Sequence, residues 1–191
     1  MHTAFTWLVL LSVAAGEYRQ AVPGYRYQFP LDHFSHPEFK TEWWYYTGNL
    51  RAADGHRYGF ELVFFRQAQH RGAEENASAW RVDDLYLAHL ALTDIDARKF
   101  RYFDRLNRAG PGIAGVSFDA GRIWNGNWEA LLNKSNGAQT LSAVAEGIRF
   151  TLHLTPRTAP VIHGENGVSQ KASAPGHASY YVSFPLLAVE G

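Results

Sequence analysis

The sequence of 191 residues contains no cysteine, and this absence excludes several classes of chemistry. Without cysteine there is no disulfide, no cysteine-ligated zinc or iron–sulfur cluster and no thiol nucleophile. An excess of charge of one sign is also missing, because 18 Lys and Arg balance 18 Asp and Glu. A neutral chain has no overall field to attract nucleic acid or an anionic membrane, so we do not expect nucleic acid as a partner.

Long apolar runs are scarce, and the one of interest lies at the N-terminus. Residues 5–13 are mostly apolar, and the small residues Ala14, Ala15 and Gly16 follow them. A run this short cannot span a bilayer as a helix, but it is typical of a secretory signal peptide. We therefore predict a signal peptide over residues 1–16 and one exported domain, periplasmic or secreted, over residues 17–191. The alternative is an ordinary buried strand or helix in a cytoplasmic protein.

Aromatic residues are abundant, since 12 Phe, 10 Tyr and 6 Trp make up 15% of the chain. Such residues favour strands and also suit a site for a large apolar ligand. Turn residues separate short apolar segments, and no stretch after residue 16 shows a sustained helical period. The sequence therefore predicts an all-β fold, either an antiparallel β-barrel or a strongly curved sheet. We predict strands over 41–50, 57–66, 85–92, 99–103, 122–128, 139–145, 148–155 and 180–184, and loops over 67–79, 108–115 and 156–178.

Two of these strands carry expectations about burial. Residues 148–155 alternate between apolar and polar, so Phe150 and its apolar neighbours should be buried and Arg149 exposed. Residues 85–92 are mostly apolar, and we expect them to be buried on both faces. His89 would then be a buried neutral histidine.

The densest cluster of candidate residues is Glu42 with Trp43, Trp44, Tyr45 and Tyr46. On a strand, Glu42, Trp44 and Tyr46 share one face. A carboxyl group among aromatic rings loses solvation, so its pKa should rise, which would suit a general acid near neutral pH. The ring faces could also stabilise a developing cation. The alternative interpretation is that the rings are plain core and that Glu42 forms a hydrogen bond or an ion pair.

Histidines offer further candidates. His89 could orient a water molecule or take its proton, or it could be an ordinary core residue. His33 and His36 form an H-x-x-H pattern, but Pro37 disfavours a helix there. Only Asp32 could act as a third ligand, so we expect no metal site.

Trp124 and Trp128 lie either side of Gly126 in one predicted strand, where all three would share a face. The glycine would leave room for a ligand between the two rings. The alternative is that both tryptophans are core residues, which is the commoner arrangement.

The chain resembles the AttH/carotenoid 1,2-hydratase family of lipocalin-like proteins over nearly the whole predicted mature chain. The resemblance rests on a combination of motifs: DHFSHPEFKTEWWYYTGNL (32–50), GFELVFFR (59–66), YLAHLALTD (86–94), FRYFDRLNR (100–108), GRIWNGNW (121–128) and VIHGENGVSQKASAPGHASYYVSFPLL (161–187). It implies a lipocalin-like β-barrel fold and a large apolar, isoprenoid-like ligand.

Carotenoid hydratases of this family add water to the terminal C=C bond of acyclic carotenoids. The resemblance therefore implies acid-initiated hydration without a metal or an organic cofactor. In that reaction Glu42 would protonate the double bond, the rings beside it would stabilise the carbocation, and His89 would take the proton from water. Glu61 and then Asp32 are the next candidate acids. The predicted ligand-binding residues are Trp43, Trp44, Tyr45, Tyr46, Phe64, Tyr86, Trp124 and Trp128.

Two alternatives to an enzyme stay open at this point. The protein could be a non-catalytic carrier of apolar molecules, or a half-domain that works only with a partner. The family's second domain normally begins near residues 178–191 and is absent from this sequence, which therefore resembles an N-terminal half. We expect an exposed apolar surface and an edge strand near residues 180–189. Such an edge predicts either a homodimer formed by strand exchange or pairing with the missing second domain.

Overall fold

The computed structural model describes residues 18–70, 78, 81–174 and 176–191, which form antiparallel β-sheets. Within these residues the only helix is a 3₁₀ turn at Leu31–His33, and none is long and apolar enough to cross a membrane. The all-β prediction is confirmed. The predicted signal peptide and residues 71–77 of the predicted loop lie outside the described residues.

The first large sheet is a four-stranded antiparallel meander. Strands β1 and β2 pair along their whole length, from Thr41 opposite Gln67 to Arg51 opposite Arg57. Gly55 has a φ of +90° in the turn between them, a conformation that glycine adopts without steric cost. The strands follow chain order and are β1 (Thr41–Arg51), β2 (Arg57–Ala68), β3 (Asp84–Asp94) and β4 (Lys99–Arg108).

The second large sheet has six strands, and two short strand pairs lie outside it. Its members are β5 (Ala114–Ser117), β6 (Arg122–Asn125), β7 (Trp128–Leu132), β8 (Gln139–Ala145), β9 (Ile148–Pro156) and β14 (Leu187–Glu190). Their order across the sheet is β14-β9-β8-β7-β6-β5. The short pairs are β10 (Val161–Ile162) with β13 (Val182–Ser183), and β11 (Val168–Gln170) with β12 (Ala178–Tyr180). Neither large sheet closes into a barrel in the described part of the chain.

The structure corrects several predicted boundaries. The single strand predicted over 122–128 is two strands, β6 and β7, because the chain turns at Gly126 with a φ of +63°. The strand predicted over 99–103 continues to Arg108, and β2 continues two residues into the predicted loop. The loops predicted over 108–115 and 156–178 contain the start of β5 and all of β10 and β11. The strand predicted over 180–184 is divided between β12 and β13. These segments are too short for alternation to reveal them.

The hydrophobic core lies between the two large sheets. Phe60, Leu62 and Phe64 of β2 pack against residues of the second sheet such as Leu141 and Leu154. In β9 the predicted alternation is confirmed. Its apolar residues are buried or packed against the core, and its polar residues are exposed.

Strand β3 is buried on one face only, contrary to the expectation. Tyr86, Ala88 and Leu90 face the core and are buried, whereas His89 on the opposite face is exposed. The prediction of a buried neutral His89 is therefore wrong. The described residues of the second sheet cover one face of the first sheet and leave His89 on the other.

The two sheets are separated by an opening along one side. β1 ends the first sheet and β14 ends the second, and β14 is the edge strand expected near residues 180–189. On the other side β4 lies against β5 and β6. The segments over 18–40 and 176–186 fold over the opening, where the Tyr180 hydroxyl donates a hydrogen bond to the Val22 carbonyl oxygen at 2.8 Å. This arrangement places a groove between β1 and β14.

Candidate functional site

The groove has a volume of about 1080 Å³, and aromatic side chains form a large part of its lining. The rings come from three parts of the chain that are distant in sequence but meet at the free edge of β1. They are Tyr25, Tyr27, Phe29, Phe34 and Phe39 before β1, Trp43, Trp44, Tyr45 and Tyr46 in β1, and Tyr180, Tyr181 and Phe184 near the C-terminus. Phe60 of β2 adds one further ring. Pockets of this size and composition are typical of sites for apolar small molecules.

One wall of the groove is a packed group of three rings. The centroid of His33 lies 4.7 Å from Phe29 and 5.0 Å from Phe184, and Phe29 and Phe184 are 5.6 Å apart. Burial lowers the pKa of His33, so its imidazole is neutral near pH 7. This wall therefore presents uncharged rings to the groove.

Both faces of β1 contribute to the groove because the groove runs along the strand's free edge. On the inner face, the Trp44 indole Nε1 donates a hydrogen bond to the His33 carbonyl oxygen at 2.9 Å. On the outer face, the Tyr45 and Tyr181 hydroxyls are 2.7 Å apart, and the Trp43 and Tyr181 ring centroids are 6.4 Å apart. These contacts fix the orientation of the rings.

The groove also reaches into the core between the sheets. Phe60, Ile123, Ala130 and Leu154 belong to the hydrophobic core and also line the groove. An apolar molecule could therefore enter at the edge of β1 and extend into the space between the sheets.

An ionic network closes one end of the groove. Arg66 is 1% exposed, and its Nε donates a hydrogen bond to Glu42 Oε2 at 2.7 Å. A second guanidinium nitrogen donates to Asp84 Oδ1 at 2.8 Å, and a third donates to the backbone carbonyls of His36 and Phe39. Every nitrogen of this buried cation has an acceptor, as burial of a charge requires.

His36 bridges the two carboxylates nearest the groove. Its Nδ1 lies 2.9 Å from Glu42 Oε1, and its Nε2 lies 3.0 Å from Asp32 Oδ1. The hydrogen bond with Glu42, aided by Asp32 and opposed by burial, raises the pKa of His36 to about 9. Tyr25 donates a further hydrogen bond to Asp32 at 2.7 Å. No group of three His, Asp or Glu side chains in the described residues has an arrangement suited to a metal ion.

The expected rise in the pKa of Glu42 is wrong. Burial alone would raise this pKa, as the sequence suggests, but the hydrogen bond from His36 and the charge of Arg66 outweigh burial. Ser35 Oγ also donates a hydrogen bond to Glu42 Oε2 at 2.8 Å. The net effect lowers the pKa of Glu42, so this side chain is a carboxylate at neutral pH.

The structure does not bring the predicted catalytic residues together. Glu42 lines the groove, but Glu61 and His89 are exposed on the opposite face of the first sheet. Glu61 lies between Thr47 and Ala91 in the register, and the His89 ring packs near Phe65 with centroids 5.4 Å apart. Asp32, the last candidate acid, lies close to Glu42 through their shared contact with His36.

Of the predicted ligand-binding residues, Trp43, Trp44, Tyr45 and Tyr46 line the groove. The other four do not. Phe64 and Tyr86 are buried on the inner faces of β2 and β3, away from the groove. Trp124 and Trp128 likewise do not line the groove.

Trp124 and Trp128 lie on opposite faces of the β6–β7 hairpin. Trp128 is paired with Asn125 and shares its face, whereas Trp124 precedes Asn125 in β6 and therefore points to the other face. No ligand space exists beside Gly126, where an added Cβ would lie 2.6 Å from the guanidinium of Arg105. That guanidinium covers the ring of Trp128 at 4.0 Å. The predicted ligand space between the two tryptophans is therefore wrong.

Sequence reasoning missed Arg66, and a signal for it existed. Phe60, Leu62, Phe64 and Arg66 alternate along β2, so period two places Arg66 on the inward face beside Glu42. A charged residue on the buried face of a strand implies a buried partner of opposite charge. The aromatic residues before β1 and near the C-terminus carry no comparable signal, because their convergence depends on the path of two segments that are distant in sequence.

The fold and groove define an all-β protein of the lipocalin-like type with a groove rich in aromatic side chains. The family model described as AttH-like matches residues 20–191, so this chain belongs to the AttH-like family. It is also similar to the crystal structure of a protein assigned as AttH from Nitrosomonas europaea, with 34% sequence identity and a TM-score of 0.79. That match covers 91% of this chain and 51% of the other, so this chain spans about half the length of its relative. No curated protein matches the sequence.

Proposed function

We propose that this protein binds a large apolar molecule in the groove between β1 and β14. The observation that carries the proposal is a groove of about 1080 Å³ that is lined by aromatic rings and continues into the hydrophobic core. Each aromatic side chain offers a large contact area and loses little conformational freedom on binding. An isoprenoid-like chain, the ligand class that the family resemblance implies, fits this lining.

Binding can be tested with diphenylhexatriene, an apolar polyene that quenches tryptophan fluorescence by energy transfer. We expect saturable quenching by the wild-type protein. The Trp44→Ala variant should bind about tenfold or more weakly, because a buried aromatic side chain contributes on the order of 1.5–3 kcal/mol. Binding of equal strength in the wild type and this variant would contradict the proposal.

The matched control is Trp124→Ala. Trp124, like Trp44, donates an indole hydrogen bond to a backbone carbonyl, here Gly112 at 3.0 Å, but it does not line the groove. Its loss should leave the affinity within a factor of about two. Circular dichroism of both variants separates loss of binding from loss of fold.

A second candidate function is acid-catalysed hydration of a carbon–carbon double bond. The position of Glu42 favours it, because this acid lines the groove beside Trp43 and Trp44. Two features oppose the expected roles of Glu42 as the acid and His89 as the base. Glu42 is ionised beside Arg66 and His36, and His89 lies on the far face of the sheet. We therefore place binding first and hydration second.

The Glu42→Gln variant tests hydration, because the amide is nearly isosteric but has no acidic proton. If Glu42 is the acid, polyene binding survives and hydration of an acyclic carotenoid stops. Since the variant also removes a counter-ion of Arg66, Asp84→Asn is the matched control. Asp84 pairs with the same guanidinium but does not line the groove. Hydration that survives Glu42→Gln unchanged excludes Glu42 as the acid.

A further inference from the structure

The inner end of the groove contains one polar pair among apolar side chains. The Tyr46 hydroxyl donates a hydrogen bond to Gln139 Oε1 at 2.7 Å and so links β1 to β8 across the space between the sheets. Both residues line the groove. Gln139 pairs in the register with Leu154 of β9 and Leu132 of β7, which line the groove beside it.

The bond to Tyr46 uses the amide oxygen of Gln139 and leaves the amide nitrogen for another partner. Nε2 donates no hydrogen bond to another described residue and keeps some exposed surface. Gln139 itself lines the groove. Burial raises the pKa of Tyr46, so its hydroxyl keeps the proton that it donates to Gln139. The pair therefore holds the amide in one orientation and presents an N–H donor to the groove.

We propose that the Gln139 amide recognises a neutral oxygen, a carbonyl or hydroxyl, at the leading end of an apolar ligand. This inference rests on the proposed binding function and narrows it from hydrocarbons to oxygenated apolar molecules. An N–H donor in an apolar pocket favours a ligand that accepts its hydrogen bond, because a bound hydrocarbon would leave the amide desolvated and unpaired.

The same surroundings disfavour a carboxylate at this end. The charged groups that line the groove are Arg19, Lys40 and the network of Asp32, His36 and Glu42, and all belong to the segment before β1 or to its first residues. Leu132 and Leu154 lie directly beside Gln139 in the second sheet and line the groove, and none of the charged lining residues belongs to that sheet. A carboxylate placed there would lose its hydration without gaining a cation.

The test is displacement of diphenylhexatriene from the full chain by four competitors of one length: hexadecane, 2-hexadecanone, hexadecan-1-ol and palmitate. In the wild type we expect 2-hexadecanone to bind about three- to tenfold more tightly than hexadecane, the range for one net hydrogen bond. Palmitate should bind more weakly than 2-hexadecanone. In Gln139→Leu the preference for the ketone over hexadecane should fall to about one.

Gln67→Leu is the matched control, because Gln67 carries an amide of the same size and accepts a hydrogen bond from Thr41 Oγ1 but does not itself line the groove. It should keep the wild-type preference. A second variant, Tyr46→Phe, keeps the amide but frees its orientation, so the preference for the ketone should fall without disappearing. These two variants keep the test valid if Gln139→Leu fails to fold.

The outcomes separate this inference from the proposed function. If the probe and all four competitors fail to bind to the wild type, the binding function itself is wrong. If hexadecane and 2-hexadecanone bind equally, or palmitate binds best, the groove binds apolar chains but the role of Gln139 is overturned. If hexadecan-1-ol binds more tightly than hexadecane but 2-hexadecanone does not, the donor role of Gln139 is overturned. That result means that the amide presents its oxygen to the groove.

Discussion

The stability of this protein should fall as the pH rises from 6.5 to 9, because of His36. This imidazole lies between Asp32 and Glu42, and its side chain is 25% exposed. Its pKa is about 9 in the folded protein, against 6.5 for the unperturbed side chain. A histidine with a raised folded-state pKa stabilises the fold fully below its unfolded pKa, and this contribution disappears as the pH passes the folded value.

The size of the effect follows from the two pKa values. They differ by about 2.5, and each pKa unit corresponds to about 1.4 kcal/mol, so the loss is roughly 3–4 kcal/mol. Most of it should appear between pH 6.5 and pH 9. The groups that face His36 are Asp32, Glu42 and, through Glu42, the guanidinium of Arg66. The pKa of Glu42 is lowered and that of Arg66 is raised, so neither titrates between those pH values, and His36 dominates the change around this site.

Urea unfolding followed by circular dichroism at pH 6, 7, 8 and 9 measures this loss. In His36→Gln the slope should be much shallower, because glutamine can accept or donate hydrogen bonds but carries no proton-dependent charge. His56, whose pKa is raised by its hydrogen bond with Asp94, should leave a smaller slope of the same sign. His89→Gln is the control, since His89 is exposed on the outer face of β3, and it should keep the wild-type slope. A flat wild-type profile, or the same slope in His36→Gln, would refute the assignment of His36 as a bridging imidazolium.

Four further predictions concern stability, burial, association and export. Arg66→Met should destabilise the fold by about 3–5 kcal/mol in chemical unfolding, because it leaves buried carboxylate and carbonyl groups without their donor. Adding Glu42→Gln to this variant should recover part of the lost stability. Phe150→Ala should cost about 3 kcal/mol and Arg149→Ala less than about 0.5 kcal/mol; equal costs would mean that the faces of β9 are assigned wrongly. The edge at β14 should promote self-association, and sedimentation showing a monomer at all concentrations would contradict that expectation. Export predicts a mature chain that begins near Glu17, which N-terminal sequencing of the native protein checks.

The long strands are predicted well from the sequence, because turn residues and alternation of apolar and polar residues lie within the strands or next to them. In β1 and β2, apolar residues continue up to a turn that contains Asp54 and Gly55, so the hairpin follows from neighbouring residues. In β9 the strict alternation identifies both the strand and its buried face. Such signals do not require knowledge of what lies on the other side of the sheet.

Features that depend on distant parts of the chain are predicted less well. The two faces of β3 are similarly apolar in sequence, so nothing local tells which face the second sheet covers. The same limit applies to the groove, whose walls combine residues before β1 with residues near the C-terminus. Tyr25 and Tyr180, for example, have ring centroids 4.8 Å apart although they are separated by most of the chain.

Glu42 shows how one missing partner reverses a chemical conclusion. Desolvation by the rings around it would favour the protonated acid, and that part of the sequence argument holds. Arg66 and His36 supply two positive partners within hydrogen-bonding distance, and together they outweigh desolvation.

The consequence bears directly on the choice between binding and hydration. An ionised Glu42 cannot donate a proton to an alkene, and His36, although protonated, has both ring nitrogens engaged by carboxylates. A proton could reach a ligand from this network only if a contact of His36 with Asp32 or Glu42 were broken first. Breaking such a contact removes the charge pairing that holds the pKa of His36 near 9. Hydration by this route therefore requires the bound ligand to rearrange the end of the groove, whereas binding alone requires no change there.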